Sequence, residues 1–233
     1  MQLEIVYEDA DLVAINKPHG LLVHRTKIAA DADIFALQLL RDQIQCKVYP
    51  CHRIDRKTSG VLLFAKNKET EKAIQKEFML HKVDKTYHAI VRGWVPDSQL
   101  VDYAIAEQGK EKKEAQTSFK CLRRFEIDLP LGKFNTSRYS LIEVNPRSGR
   151  FHQIRKHMSH IFHPIIGDRP HGCSKQNRMW KSIFNMTSMM LHASNLRFSI
   201  GEDRQLQITA RRSREFDRVL KILSQHEIKI QKD

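Results

Sequence analysis

An α+β domain built around a mixed, mainly antiparallel sheet is the fold class this sequence predicts. Strand-length apolar runs are interleaved with segments of helical periodicity, but without the strict βαβ alternation of a doubly wound sheet. No repeat of solenoid period and no Pro/Gly/Ser-rich linker divides the chain. With 233 residues, 41% of them hydrophobic, the chain is long enough for one substantial core or two small ones and too apolar for wholesale disorder.

The elements follow in order. Residues 3–24 read as strand, turn, strand, turn: Val6 and Tyr7 precede the turn residues 8–11, Leu12 to Ile15 form a short apolar run, and Pro18 and Gly20 break the chain. The spacing over 31–43 predicts a helix with Ile34, Leu37, Leu40 and Ile44 inward. A short strand at 48–51 leads into a loop, and the continuous apolar run GVLLFA at 60–65 predicts a strand buried on both faces. A helix over 68–81 turns Ala73, Ile74 and Phe78 inward and Glu69, Lys72, Lys76 and Glu77 to water. Residues 85–94 form a strand. Over 96–135 the pattern weakens and polar residues gather, as in GKEKKEAQ at 109–116, which predicts a variable insertion around one or two strands, including 118–125. A strand at 137–144 precedes a turn at Pro146 and Gly149 and a helix over 150–161 with Ile154, Met158 and Ile161 on one face. A short helix at 176–186, a closing strand pair at 189–199 and 205–209, and a final helix over 213–226 complete the chain. In that last helix Phe216, Val219, Leu220 and Leu223 face inward, with Ser213 as N-cap and Glu215 and Asp217 in the first turn. The core spans about 5–210 within one domain, 1–233.

Charge narrows the partners. Forty Lys and Arg against 27 Asp and Glu give a net charge of +13 and a pI near 9.7, which favours a polyanion, nucleic acid ahead of an anionic membrane surface. No apolar run reaches the ~18 residues a spanning helix needs. The start MQLEIVYEDADLVAINKP carries early acids and no basic segment ahead of an apolar stretch, so it does not read as a signal peptide. Cys46, Cys51, Cys121 and Cys173 contain no CxxC pair, which predicts reduced thiols in a cytoplasmic protein.

Four stretches carry possible chemistry. In HRIDRKTSG, Asp55 sits among Arg53, Arg56, Lys57 and potentially a charged His52. Nearby cations favour an ionised carboxylate, which suits a nucleophile, a general base or one half of a loop-pinning ion pair. In GRFHQIR, Arg150, His152, Gln153 and Arg155 gather on the first turns of a helix, either as an anion site or as a solvated basic face. His152, His157, His160 and His163 are spaced five, three and three apart. Without an HExxH pattern, and with Asp168 the nearest downstream acid, they read as surface or phosphate-contacting residues ahead of metal ligands. Tyr87, in KTYHAIVRG, is either a packed strand aromatic or a platform for an extruded base.

Taken together, HRIDRKTSG with NKPHG upstream and KTYHAIVRG, SGRFHQIRKHM and HPIIGD downstream resembles the RluA-type pseudouridine synthases over about residues 5–210. GLLVHR, YHAIVRGW, the TSRY stretch at 136–139 and HPIIGD followed by HG and QNR resemble a tRNA-modifying branch whose members act on uridine 65. The resemblance implies a single catalytic domain with a mixed, mainly antiparallel sheet, flanking helices and a central RNA-binding cleft, and no S4-type domain. It also implies isomerisation of uridine to pseudouridine in RNA without cofactor or metal. By the same resemblance Asp55 is the catalytic carboxylate, attacking ribose C1′ or initiating elimination at C2′. Arg155 pairs with it, and Tyr87 lies against the target base and takes part in proton transfer. Arg53 enters the stack the uridine leaves, Leu191 walls the pocket, and Arg56, Arg150, His152, Gln153 and Lys156 contact RNA.

Ile54 stands where the motif usually has Leu. The expected partner is tRNA, with ribosomal RNA as the other substrate and a non-catalytic RNA-binding or RNA-folding module as the reading from another class. No membrane and no obligate protein partner is implied. Arg155→Met is expected to cripple turnover while altering stability little.

Overall fold

β1 (Glu4–Glu8) and β2 (Leu12–Lys17) open the computed structural model as an antiparallel hairpin; the structure describes residues 1–24, 34–106, 111–201 and 204–228. Asp9 makes the turn, its Oδ1 accepting from the backbone N–H groups of Asp11 at 2.8 Å and Leu12 at 2.7 Å. This is the local bonding that favours Asp in turns. The chain divides into two compact units, Met1–Lys85 with His192–Ser213, and Thr86–Leu191 with Arg214–Asp233.

In the first unit, β4 (Ser59–Ala65) is buried along its whole length, as its unbroken apolar run predicts. It pairs antiparallel with β2 and with the two-residue β3 (Tyr49–Pro50). Its other neighbour, β9 (Leu191–Ile200), runs parallel to it and pairs antiparallel with β10 (Arg204–Thr209). The strand order β1-β2-β4-β9-β10 is therefore mixed and mainly antiparallel. Side chains alternate across this sheet. Val61, Leu63 and Ala65 meet Leu12, Ala14, Ile74, Leu196, Phe198 and Ile208 in one apolar cluster. Leu62 and Phe64 join Val13, Ile15, Ala36, Leu40 and Val48 in another.

The first cluster takes in α2 (Lys68–Met79), whose N-cap Asn67 accepts from the Thr70 N–H at 2.8 Å. The second takes in α1 (Ala36–Ile44). Two helix expectations are corrected. The helix predicted over 31–43 begins at Ala36; residues 31–33 lie outside the described residues, and Ile34, expected in the core, is 57% exposed. Ala73 is exposed, so Ile74 and Phe78 alone carry the inward stripe of α2.

The parallel junction of β4 and β9 leaves no room for a side chain at Gly60. A Cβ there would lie 2.1 Å from the Ala193 carbonyl oxygen, and φ is +111°. Both neighbours are backbone, which cannot swing aside. Gly60→Ala is expected to cost about 3 kcal/mol or more, the sum of overpacking and left-handed strain. The midpoint of denaturant unfolding reports it, and a shift within error of wild type would refute the close approach.

In the second unit, β5 (Asp84–Arg92), β8 (Ser137–Pro146), β7 (Gln116–Ile127) and β6 (Ser98–Asp102) lie side by side in that order, antiparallel throughout. The region 96–135 is thus not an appendage. It supplies β6 and the twelve-residue β7, which runs between β6 and β8. Half of β7 faces away from the core, and that polar alternation is what makes the segment look irregular in sequence.

α3 (Gln153–His160), α4 (Ser174–Phe184) and α5 (Arg214–Ser224) complete this unit. Its core gathers Ile90, Tyr139, Ile142, Val144, Met158 and Trp180 with Phe216, Val219, Leu220 and Leu223 of α5. Those four residues of α5 are spaced to share one helical face. Among the described residues no helix is long and apolar enough to cross a membrane.

Candidate active site

The loop that carries Asp55 leaves β3 and enters β4, so its downstream end is fixed by a strand with no exposed residue. Ile54 is buried, Arg53 and Arg56 are exposed, and Asp55 between them is half-buried. The Asp55 carbonyl accepts from the Thr58 N–H at 3.0 Å, closing a turn around Arg56 and Lys57. Thr58 and Ser59 are buried. Ser59 Oγ lies 2.9 Å from His192 Nδ1, and His192 Nε2 lies 3.2 Å from the Ala210 carbonyl. A carbonyl only accepts, so Nε2 carries the proton, Nδ1 accepts, and Ser59 donates.

One of the four cations expected around Asp55 is neutral. His52 Nε2 accepts from the Leu63 N–H at 3.1 Å, and its ring stacks on Phe78 at 4.8 Å. Burial, with the charge of Lys85 added, pushes this imidazole down to about 3.

A different cation replaces it. Lys17, the last residue of β2, is 0% exposed. Its ammonium donates to the carbonyls of Pro18 at 2.9 Å, Leu21 at 2.9 Å and Arg56 at 3.2 Å. Three acceptors match its three protons. Burial draws Lys17 down to about 7, and the Asp55 carboxylate opposes that shift. Gly20 N–H also donates to the Arg56 carbonyl at 2.8 Å, and Arg56 Nε returns a bond to the Gly20 carbonyl at 3.0 Å. NKPHG is therefore the brace of the Asp55 loop. Within it burial, Lys17 and Lys57 push His19 down to about 4. The sequence signal for Lys17 was available: a lone cation closing a short strand that opens on the apolar run Leu12–Ile15.

In the second unit, α3 begins at Gln153, three residues later than the periodicity predicts, because His152 takes the left-handed N-cap position at φ 57°. Gln153 is 4% exposed and committed inside the protein. Its Oε1 accepts from Ser148 Oγ at 2.7 Å and from the Arg150 N–H at 3.0 Å. Its Nε2 donates to the Gln116 carbonyl at 2.9 Å and Thr117 Oγ1 at 3.1 Å. In this conformation Gln153 ties the turn carrying Arg150 to β7 rather than facing outward for RNA.

Arg150 is half-buried, its Nε 3.4 Å from the Glu114 carbonyl; Lys156 donates to the Ala106 carbonyl at 3.0 Å and lies over the Phe151 ring. Arg155 forms a bidentate pair with Asp168, Nε to Oδ2 at 2.7 Å and Nη2 to Oδ1 at 2.8 Å, with side chains only 4% and 1% exposed. Tyr87 lies on β5 opposite Val144, half-buried against this unit's core. Leu191 is part of that core.

The histidine series does not converge. His152 Nδ1 lies 2.9 Å from His171 Nε2, His157 Nε2 faces the Tyr103 carbonyl at 3.0 Å, His160 stacks on Tyr103, and His163 Nδ1 faces the Arg92 carbonyl at 2.8 Å. Burial lowers the pKa of His157. Among the described residues no three His, Cys, Asp or Glu side chains are placed to hold a metal ion.

The structure thus groups Arg53, Asp55 and Arg56 on one loop of the first unit, braced by Lys17 from the end of β2. It groups Arg150, His152, Gln153, Arg155 and Lys156 at the start of α3 in the second. A carboxylate held on a rigid loop among cations suits action on a polyanion, because the cations offset the repulsion its charge would otherwise exert.

Residues 11–160 match the model of a family described as RNA pseudouridylate synthase. The chain is 46% identical over 209 residues to tRNA pseudouridine synthase C of Vibrio parahaemolyticus, covering 85% of each chain. It is 42% identical over 205 residues to the protein of the same name from Salmonella typhimurium, covering 83% of this chain and 79% of that one. Among solved structures it is similar to Human RNA Pseudouridylate Synthase Domain Containing 4, with a TM-score of 0.77 and 23% identity over 95% of this chain and 93% of that one. The corresponding Domain Containing 1 gives a TM-score of 0.72 and 23% identity over 96% and 95%. These two likenesses concern the fold alone.

Proposed function

We propose, since the chain belongs to the RNA pseudouridylate synthase family, that it isomerises uridine to pseudouridine in tRNA, at uridine 65. The observation that carries the choice of tRNA is the high identity, across most of both chains, to relatives named for that substrate. Asp55 is the reacting carboxylate. Two first steps are open to it: attack at ribose C1′, or removal of the C2′ proton. In either, the C1′–N1 bond breaks and its electron pair leaves with the base. The base turns and C5 bonds to C1′, releasing the Asp55 carboxylate from C1′ in the first route and with the proton returned to C2′ in the second; the C5 proton then leaves with the help of Tyr87, and N1 takes up a proton.

The brace described above supports this role. Lys17 ties the Arg56 carbonyl of this loop to those of Pro18 and Leu21, and the clamped turn limits the motion of the loop. Arg155 is the cation that keeps the carboxylate charged during the reaction. Arg53, exposed at the loop's edge, fills the gap in the RNA stack, which offsets part of the few kcal/mol lost when a base is extruded. Leu191 walls the base pocket. Arg56, Arg150, His152 and Lys156 meet the RNA backbone. The protein acts in the cytoplasm.

Mapping pseudouridines in RNA from cells with and without this protein tests the proposal. The expected result is loss of a single modification at tRNA position 65. Loss confined to ribosomal RNA would overturn the choice of substrate, and an unchanged map would overturn the activity.

A further inference from the structure

The turn after α3 is more tightly determined than a connection requires. Asp168 opens it and is itself 1% exposed. Its main-chain carbonyl accepts from Asn177 Nδ2 at 2.6 Å, and Asn177 Oδ1 accepts from the Gly167 N–H at 2.8 Å. Its carboxylate accepts from the His171 N–H at 3.3 Å as well as from Arg155. Gly172 closes the turn so tightly that a Cβ there would lie 1.9 Å from the Asp168 carbonyl oxygen. Backbone, α4 and a buried side chain therefore all fix where the Asp168 carboxylate points.

That carboxylate is aimed at a guanidinium. Two of the N–H groups of Arg155 enter a fork-to-fork pair, the arrangement that fixes the plane of an arginine rather than only its charge. The same turn reaches the start of α3 at a second place, where the His171 ring meets His152. Stability alone is a poor explanation for such a pair. Removing two charges from water costs several kcal/mol per ion, and apolar side chains of similar size often serve equally well in its place. A fixed guanidinium plane is what the pair offers and an apolar contact does not.

We propose that Asp168 is a positioning residue for the reaction: its carboxylate, set by the 167–172 turn, holds the Arg155 guanidinium in its working orientation. This rests on the role given to Arg155 under the proposed function. Asp168 acts through Arg155 and touches no reacting atom.

The test is a double-mutant cycle on the full chain, read by single-turnover release of tritium from C5-labelled uridine in a tRNA transcript, with RNA affinity measured alongside. Asp168→Asn keeps the shape and loses the charge. It is expected to slow turnover about 100-fold, the cost of a misplaced catalytic group, with RNA affinity within about 3-fold of wild type. Combined with Arg155→Met it is expected to be no slower than Arg155→Met alone, since the two losses are one loss. Should the losses multiply, Asp168 does not act through Arg155 and the proposal fails.

Wild-type turnover in Asp168→Asn, with Arg155→Met inactive, sinks this inference and leaves the role of Arg155 standing. Wild-type turnover in Arg155→Met sinks both. If Asp168→Asn does not fold, Asp168→Glu retains the charge while moving it by one methylene. It is expected to lose about 10-fold in rate at unchanged RNA affinity, and full activity there overturns the proposal.

Discussion

Asp55→Ala is expected to leave no measurable pseudouridine formation while RNA is still bound. The side chain is half-buried, and the turn that presents it is closed by main-chain atoms, the Asp55 carbonyl and the Thr58 N–H, which the substitution retains. Lys17 loses a counter-charge but keeps its three carbonyl acceptors, so the brace persists. The chain carries a net charge of +13, and removing one negative charge only raises its attraction for a polyanion. If Asp55 reacts, turnover has no substitute route and falls by roughly 10⁴-fold or more. Tritium release from C5-labelled uridine, together with filter binding at fixed salt, separates the two quantities. Turnover within about tenfold of wild type would remove Asp55 from the reaction. Asp55→Asn tightens the test, because it retains the volume and removes only the charge.

Sequence pattern revealed most where one periodic signal dominated. β4 is apolar at nearly every position and is buried at every position. The inward stripe of α5 is the predicted set Phe216, Val219, Leu220 and Leu223. Pattern misled where the environment is set by partners distant in the chain. Over 96–135 polar alternation blurred the bounds: the strand expected at 118–125 is present but runs on to Gln116 and Ile127, and β6 was not placed. The start of α3 was displaced because the side chain of Gln153 bonds the turn before it, and His152 takes a conformation that no count of apolar spacing anticipates.

The candidate site was legible as a set of residue types but not as a set of charges. Asp55 and Arg155 stand out by motif. That His52 is neutral and Lys17 is the buried cation depends on hydrogen bonds across strands, from Leu63 to His52 and from Lys17 to Arg56. Burial then decides the charge of His52, because an imidazole that accepts a main-chain N–H with a second cation nearby loses more by protonation than it gains. Formal charge counted along HRIDRKTSG therefore overstates the positive field from side chains within the loop. Lys17, which the structure puts against this loop, lies on β2, 35 residues ahead of His52 in the chain.

Arg155→Met is expected to lose both turnover and stability, and here the structure changes the expectation formed from sequence. If the only partner of Arg155 were a reacting carboxylate, removing it would spare the fold. Its guanidinium is instead locked to Asp168, and both side chains are almost fully excluded from water. Methionine fills the volume but leaves Asp168 buried without its bidentate partner, a loss of about 3–5 kcal/mol. Turnover should fall by roughly 10²–10³-fold, as when a group that stabilises charge in the transition state is removed.

The two losses can be separated. Adding Asp168→Asn to Arg155→Met removes the stranded charge, so the double variant should unfold at higher denaturant than Arg155→Met alone. Turnover should not recover with it, since no cation has been restored. Recovery of rate together with stability would mean that Arg155 matters only for folding, and its place in the reaction would have to be given up. A stable and fully active Arg155→Met would contradict the buried pair and the proposed chemistry together.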